Sequence, residues 1–560
     1  MCQVPTSLAG LLSLLAPCFS QPTFQTFSAL VVGFVGRIRD CTVCGMLQAA
    51  GLAGVWHHSR AHDFFARRRW DPDELGLRLL DFLVTVLVKA GAPIRLAVDD
   101  TLFGRSGRRV WGAHYLHDGA QPEGSGRRTR WGNCWLVVVL VVELRCLGGR
   151  AVGLPVLFRL FEPKDDAHPD RPSQPELART LINLVLERFP RRIVELVMDG
   201  AYASKAWRGL PDRVTVTTRM RGNAALHELA PAARRPGQIG RTALKGAKLP
   251  TLAEIAKTAV FQAVTITGPD GRTRTEHIHE FVCLWYGPFY TRPVKVILIC
   301  NPGRTDGFDI ALASTDADVA ASELITRYDS RWTIETAHQE AKAHGVGEAR
   351  NRIEQAVKRT VPFGFLCQTI TIAWYAVDGD PEADLEQRRR QSPWYRQKST
   401  ISYADMLVAL RRELIRHEFW AQAESAGINR HGEGDENALH RRTSDSRWPR
   451  VMRWRFVRAQ RSVDRGRVGG AIEPRNPNEV RGADALACSG RPRRWRRYRE
   501  SLVDPARSEN PGTHASSMRE NREIPRLPAV PTDASPWMVR GVVARRLAGR
   551  EGNAEAVIPR

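Results

Sequence analysis

The chain has 560 residues and a formal charge of +23, from 83 Lys and Arg against 60 Asp and Glu. That length exceeds one simple core and points to two to four domains. The apolar fraction of 43% is that of an ordinary globular protein, and the basic surplus favours a polyanionic partner, of which nucleic acid is the commonest. A solubilising basic surface or a basic tail would give the same count. The ten cysteines are scattered, and Cys134, Cys283, Cys300 and Cys367 lie in apolar runs, where a free thiol behaves as a small hydrophobe. A disulfide framework suits a short secreted chain, so a reducing cytoplasm is expected. Cys41 and Cys44 form a lone C-x-x-C, with no second Cys or His pair spaced for tetrahedral zinc.

In chain order, Leu8–Leu15 has the apolarity of a signal-peptide core, but no Lys or Arg precedes Arg37. Residues 1–90 read as a helical N-terminal DNA-binding region. Asp71-Pro72-Asp73 opens a helix whose apolar side is Leu75, Leu77, Leu79, Leu80, Phe82 and Leu83, with Asp71 as its cap. Just before it, Arg60–Trp70 mixes aromatics with Arg67, Arg68 and Arg69. This is either an amphipathic helix with a wet basic face or a DNA-contacting helix.

The texture changes at Ile94, and residues 91–425 read as one catalytic domain. Strands are expected at Ile94–Val98, Trp135–Leu144 and Val152–Leu160, then a helix at Gln174–Phe189 and a strand at Ile193–Met198. That order suits a mixed α/β sheet with helices packed on it. The run Trp135–Leu144 is too short to span a bilayer and contains Glu143. No stretch reads as a transmembrane helix, so a soluble protein is expected. Residues 212–318 bring further strands at Val214–Thr217, Val260–Thr267, Glu280–Tyr286, Val294–Cys300 and Ile310–Ser314. A helix resumes at Ala317 and runs, with a break near Asp329, to about His344. Residues 426–560 are rich in Arg, Pro, Gly, Ser and Asn and read as a basic tail of low order.

Asp99 and Asp199 each end a short apolar strand, the usual place for a site in an α/β sheet. Desolvating a carboxylate is costly, and a divalent cation would offset that cost. Singly, Asp99-Asp100-Thr101 and Asp199-Gly200 also read as turns after strands. A sharper pattern follows at Tyr328, Arg331, Glu335 and Lys342. At about 100° per residue these four return to within about 60° of one direction if the helix is continuous. One acid would then be flanked by two bases and a phenol, as suits a phosphate track over a metal site. A solvated face of i, i+4 charge pairs would look the same.

The spacing Tyr-x-x-Arg-x-x-x-Glu-x-x-x-x-x-x-Lys resembles the YREK motif of the DDE transposases of bacterial insertion sequences. Leu96–Thr101 (LAVDDT) looks like their first-aspartate strand, and Val197–Ser204 (VMDGAYAS) like their second. The stretch Phe27–Trp70 is similar to the helical start of one branch, and the resemblance covers about residues 25–420. It implies a ribonuclease-H-like fold with a β-rich insertion between the second Asp and the Glu. Glu335 lies 136 positions after Asp199, which leaves room for one. It also implies catalytic, metal-binding roles for Asp99, Asp199 and Glu335, with Asp100 as the alternative first acid. Two Mg²⁺ or Mn²⁺ ions are implied, along with DNA contacts by Tyr328, Arg331 and Lys342. The reaction implied is cleavage at element ends followed by joining to target DNA. A homodimer on the paired ends, in a bacterial cytoplasm and associated with the nucleoid, completes that picture. A ribonuclease-H-like nuclease that cuts without joining, or an inactive DNA-binding remnant, are the competing functions.

Overall fold

The computed structural model describes residues 4–38, 41–117, 129–231, 241–268, 271–301 and 307–425. The expected low-order tail, 426–560, lies outside the described residues.

Five helices come first: α1 (Thr6–Ser13), α2 (Gln21–Gly36), α3 (Val43–Ala49), α4 (Ser59–Ala66) and α5 (Pro72–Leu87). Asp71 caps α5 by accepting from the Asp73 N–H at 3.0 Å. The sheet begins with β1 (Ile94–Gly104), β2 (His114–His117), β3 (Thr129–Leu144) and β4 (Arg150–Phe161). Helix α6 (Gln174–Arg188), capped by the reciprocal Ser173–Glu176 box, leads to β5 (Val194–Met198) and β6 (Val214–Arg219). Then come α7 (Leu252–Thr258), β7 (Gln262–Thr267), β8 (Thr273–Leu284), α8 (Tyr286–Phe289), β9 (Pro293–Cys300) and β10 (Ile310–Ser314). Helices α9 (Ala321–Asp329), α10 (Trp332–Ala343), α11 (Glu354–Asp378), α12 (Pro381–Gln391) and α13 (Tyr403–Ser425) close the series.

The ten described strands form one sheet in the order β2-β3-β1-β5-β6-β10-β9-β8-β7, with β4 also on β3. β4, β3 and β1 are an antiparallel meander, whereas β1, β5 and β6 run parallel. This order, with its parallel trio and flanking helices, is the ribonuclease-H-like arrangement. β10 pairs antiparallel with β6, so β7–β10 extend the same sheet as a β-rich insertion. β6 itself completes the parallel trio. The short elements β2, α7 and α8 and the helices α11 to α13 have no counterpart in the sequence reading, and the strand expected at Glu280–Tyr286 runs instead from Thr273 to Leu284.

The N-terminal helices share one continuous apolar core with the sheet, running from Leu8 to Leu410. Phe363 of α11 meets Phe27, Phe64 and Phe65 edge-on with ring centroids 5.3–6.0 Å apart. Helix α11 corrects one expectation, because it is long and apolar enough to cross a membrane. It is apolar all round because it is buried all round, against α4, α13, α2, α5 and β4.

A buried ion network fixes α9 over the parallel strands. Arg327, 2% exposed, lies 2.9 Å from Glu195 of β5, 2.9 Å from Asp316 and 3.1 Å from Glu323. Arg95 of β1 reaches the same Glu195 at 3.0 Å. Removing one partner leaves a buried charge without compensation. Arg327→Ala is therefore expected to lower unfolding stability by about 3–5 kcal/mol in a urea titration. A loss under about 1 kcal/mol would mean the network does not anchor α9.

Candidate active site

The parallel pairing of β1 with β5 ends at Val98↔Met198. Asp99 and Asp199 are the next residue on each strand, so they leave the sheet on the same face from strands about 4.8 Å apart. Asp199 then caps a short turn, Gly200–Tyr202, its Oδ1 accepting from the Ala201 N–H at 3.0 Å. Gly200 has to be glycine, because a Cβ there would stand 2.6 Å from the Arg219 carbonyl oxygen at the end of β6.

Helices α9 and α10 lie across this face. The helix does break where the sequence suggested, at Ser330–Arg331. There the Arg331 N–H donates to the Tyr328 carbonyl at 3.0 Å and the Thr333 N–H to Ser330 at 3.1 Å, a three-residue spacing. Both break residues keep right-handed helical angles, so Tyr328, Arg331 and Glu335 stay together. Arg331 is the centre of the group. Its Nη1 donates to Asp99 Oδ2 at 3.0 Å and its Nη2 to Glu335 Oε1 at 2.7 Å. Its guanidinium carbon is 5.8 Å from the Tyr328 ring centroid.

The electrostatics follow from crowding carboxylates in a poorly solvated place. Burial pushes the Asp99 carboxyl up to about 7 against the pull of Arg331, and Asp100 and Glu335 push the same way. Burial likewise raises Glu335, Arg331 opposes it, and the Asp199 charge adds to the rise. Burial works against the Arg331 charge, yet Tyr328, Asp99 and Glu335 hold its pKa above the ordinary value. Burial takes the Tyr328 phenol to about 12, with Arg331, Asp199 and Arg219 all acting on it. Asp199 thus joins the group through its field on Glu335 and Tyr328. With the guanidinium between Asp99 and Glu335, no three His, Cys, Asp or Glu side chains among the described residues are closed on a metal-sized space.

Asp100, the alternative first acid, points to the opposite face by strand alternation. Its Oδ1 accepts from the Tyr202 hydroxyl at 2.9 Å and its Oδ2 from the Cys134 thiol at 3.2 Å. Its own N–H donates to Asp99 Oδ1 at 2.9 Å. Asp100 therefore braces Asp99 from behind, and through Tyr202 it ties down the turn that follows Asp199. Lys342 is exposed at the far end of α10, its Nζ 5.6 Å from the Phe103 ring centroid. Arg67, Arg68 and Arg69 are exposed beyond α4, with Arg67 3.6 Å from Asp63.

Sequence reasoning missed Tyr202, Arg219 and Arg327. Arg219 was findable, because it ends the third parallel strand one step past Thr218, which pairs with Met198, just as Asp199 follows Met198. Tyr202 lies three residues past Asp199 and carries no spacing signal of its own.

Carboxylates and a guanidinium gathered at the ends of parallel strands on a ribonuclease-H-like sheet are a donor set that suits phosphodiester chemistry. Residues 14–280 match the family model described as DDE superfamily endonuclease. The match takes in Asp99 and Asp199 and ends before Glu335. It supports a DDE-type nuclease or transposase enzyme acting on DNA, a family that generally uses divalent metal ions. No curated protein matches the chain.

The raised Asp99 gives a pH signature. The folded chain holds this proton more tightly than the unfolded one. Its contribution to stability is therefore full below about pH 4 and is lost as pH rises through about 7. Asp99→Asn removes that dependence. In thermal unfolding with EDTA, the variant should gain on wild type as pH goes from about 5 to about 8. Parallel curves for the two proteins would show that Asp99 does not titrate in this range.

Proposed function

We propose that this chain is a bacterial insertion-sequence transposase of the YREK branch, cutting DNA at element ends and joining those ends to target DNA. The observation that carries the reading is Arg331 spanning Asp99 and Glu335 beside Asp199, with all four groups on one face of the parallel strands. The donor chemistry suits a hard divalent ion: the set is carboxylate oxygen, enclosed enough to raise two of its pKa values, and a cation already sits among them. Asp99, Asp199 and Glu335 would hold Mg²⁺ or Mn²⁺, as two ions, which supply an activated water and stabilise the leaving oxygen.

The chain's own groups do the rest. Asp100 and the Gly200 turn hold the two aspartates at their strand ends. Arg331 bridges Asp99 and Glu335 and offsets part of their charge before DNA arrives, and then has a phosphate within its reach, a bidentate partner of the same geometry. Tyr328 supports that guanidinium. Lys342 is seven residues past Glu335, roughly 10 Å along the helix, and meets the next phosphates. The exposed Arg67, Arg68 and Arg69 contribute sequence-independent phosphate contacts. A homodimer would bring two element ends together in the bacterial cytoplasm.

The test is a linear substrate carrying one element end, with Mg²⁺ present, followed by gel and by salt titration. Glu335→Gln should bind this DNA as wild type does and cut none of it. Lys342→Ala should weaken binding and lower the salt slope by about one unit. Cleavage by Glu335→Gln would remove the catalytic assignment. Wild-type cleavage with no joined product would favour a nuclease over a transposase.

A further inference from the structure

Five residues of β1 lie beyond Asp99, roughly 16 Å of strand. By alternation, Asp99, Thr101 and Phe103 share one face. Across the antiparallel register Phe103 opposes Asn133, and on β3 the same face continues to Trp131. Trp131 opposes Tyr115 of β2, and the two rings are 5.2 Å apart. A single stripe therefore leads from the acids, past Phe103 with Lys342 above it, to an aromatic end.

That end is built rather than loose. The Trp131 indole donates to the Gly107 carbonyl at 3.0 Å, and Asn133 Nδ2 to the Trp111 carbonyl at 3.0 Å. Arg105 donates to Asn133 Oδ1 at 2.8 Å and to the Gly347 and Ala349 carbonyls at 2.6 and 2.8 Å. The Trp111 N–H reaches the Arg352 carbonyl at 2.9 Å. On this base Tyr115, set beside Trp131, is still 73% exposed and Trp111 42% exposed. Arg108, Arg109 and Arg352 stand exposed around them. Lys358, ion-paired with Glu354, lies 5.9 Å from the Trp111 ring centroid.

Two large exposed rings on a hydrogen-bonded backbone base, with arginines beside them, fit a polyanion whose bases can stack on the rings. We propose that Tyr115 and Trp111, flanked by Arg108, Arg109 and Arg352, form a grip for unpaired DNA bases next to the cut end. The rings stack on the bases while the arginines hold the phosphates. The inference rests on the reading of this chain as a DNA-cutting enzyme, and it adds where the strand goes after it leaves the acids. Ring-on-base stacking is tolerant of sequence and is lost when the ring is removed. A fully paired end offers its bases much less freely.

The experiment uses the full chain and two fluorescent probes read by anisotropy. One is a blunt 30-base-pair duplex (about three helical turns). The other is the same duplex with a few unpaired bases at one end. Tyr115→Ala should bind the frayed probe about tenfold more weakly than wild type and the blunt probe nearly as well. Tyr115→Phe should restore the frayed-probe affinity. Arg108→Ala with Arg109→Ala should lower the salt slope on both probes by about two units. Equal affinities of wild type and Tyr115→Ala for the frayed probe would overturn the grip, as would an equal loss on both probes. Loss of cleavage in Glu335→Gln is independent of this result, so the grip can fail while the catalytic reading stands. Absence of wild-type binding to either probe would end both.

Discussion

Two backbones held in parallel register, β1 and β5, set the position of the two aspartates around which the other candidate groups gather. Because Val98 faces Met198, the next step on each strand delivers a carboxylate to the same edge. Neither aspartate needs a loop to carry it there. Both inherit the rigidity of strands buried on both faces, and Gly200 lets the β6 end come close enough to keep that edge tight. The helix bearing Glu335 is positioned separately, by the Arg327 network below α9 and by the contact of α10 with β4 at Gly153. There a Cβ would come within 3.0 Å of Thr333 Oγ1.

Bringing like charges together on so rigid a frame has an electrostatic cost, and Arg331 offsets it. The guanidinium is planar and bidentate, so it satisfies one oxygen of Asp99 and one of Glu335 together. That arrangement places one positive charge between the two acids and lessens their repulsion. In the proposed reaction the same guanidinium has two alternative anions, the carboxylates and a DNA phosphate, and a metal ion competes for the first. The exchange would link metal loading to DNA binding without a large movement of the fold.

Much of this was legible in the sequence, for physical reasons that differ by element. The strands ending in acid were readable because each is apolar at four of five positions, in Ile94–Val98 and Val194–Met198, and the exceptions, Arg95 and Glu195, pair with each other. The helix break near Asp329 was readable too, but its consequence was not, since only the backbone angles show that Tyr328, Arg331 and Glu335 stay together across it. Asp99 and Asp100 are indistinguishable by composition. Alternation separates them once the strand is known to continue to Gly104, because one faces Arg331 and the other Tyr202. Helix α11 left no amphipathic period to detect, since it is surrounded. Strand β2, His114–His117, is too short and too polar to stand out, and it is held by its pairing with β3. In the Arg327 network only the i, i+4 pair with Glu323 is visible locally, because the links through Glu195 to Arg95 and to Arg327 join residues far apart in the chain.

The central claim is that Asp99, Asp199 and Glu335 are a cation site that Arg331 fills in the absence of metal. A Mn²⁺ titration of the full chain, followed by the loss of the free-ion electron paramagnetic resonance signal, tests it most directly. Wild type should take up Mn²⁺, and Asp199→Asn, which leaves the Arg331 bridge untouched, should lose that uptake. Equal uptake by the two proteins would contradict the account.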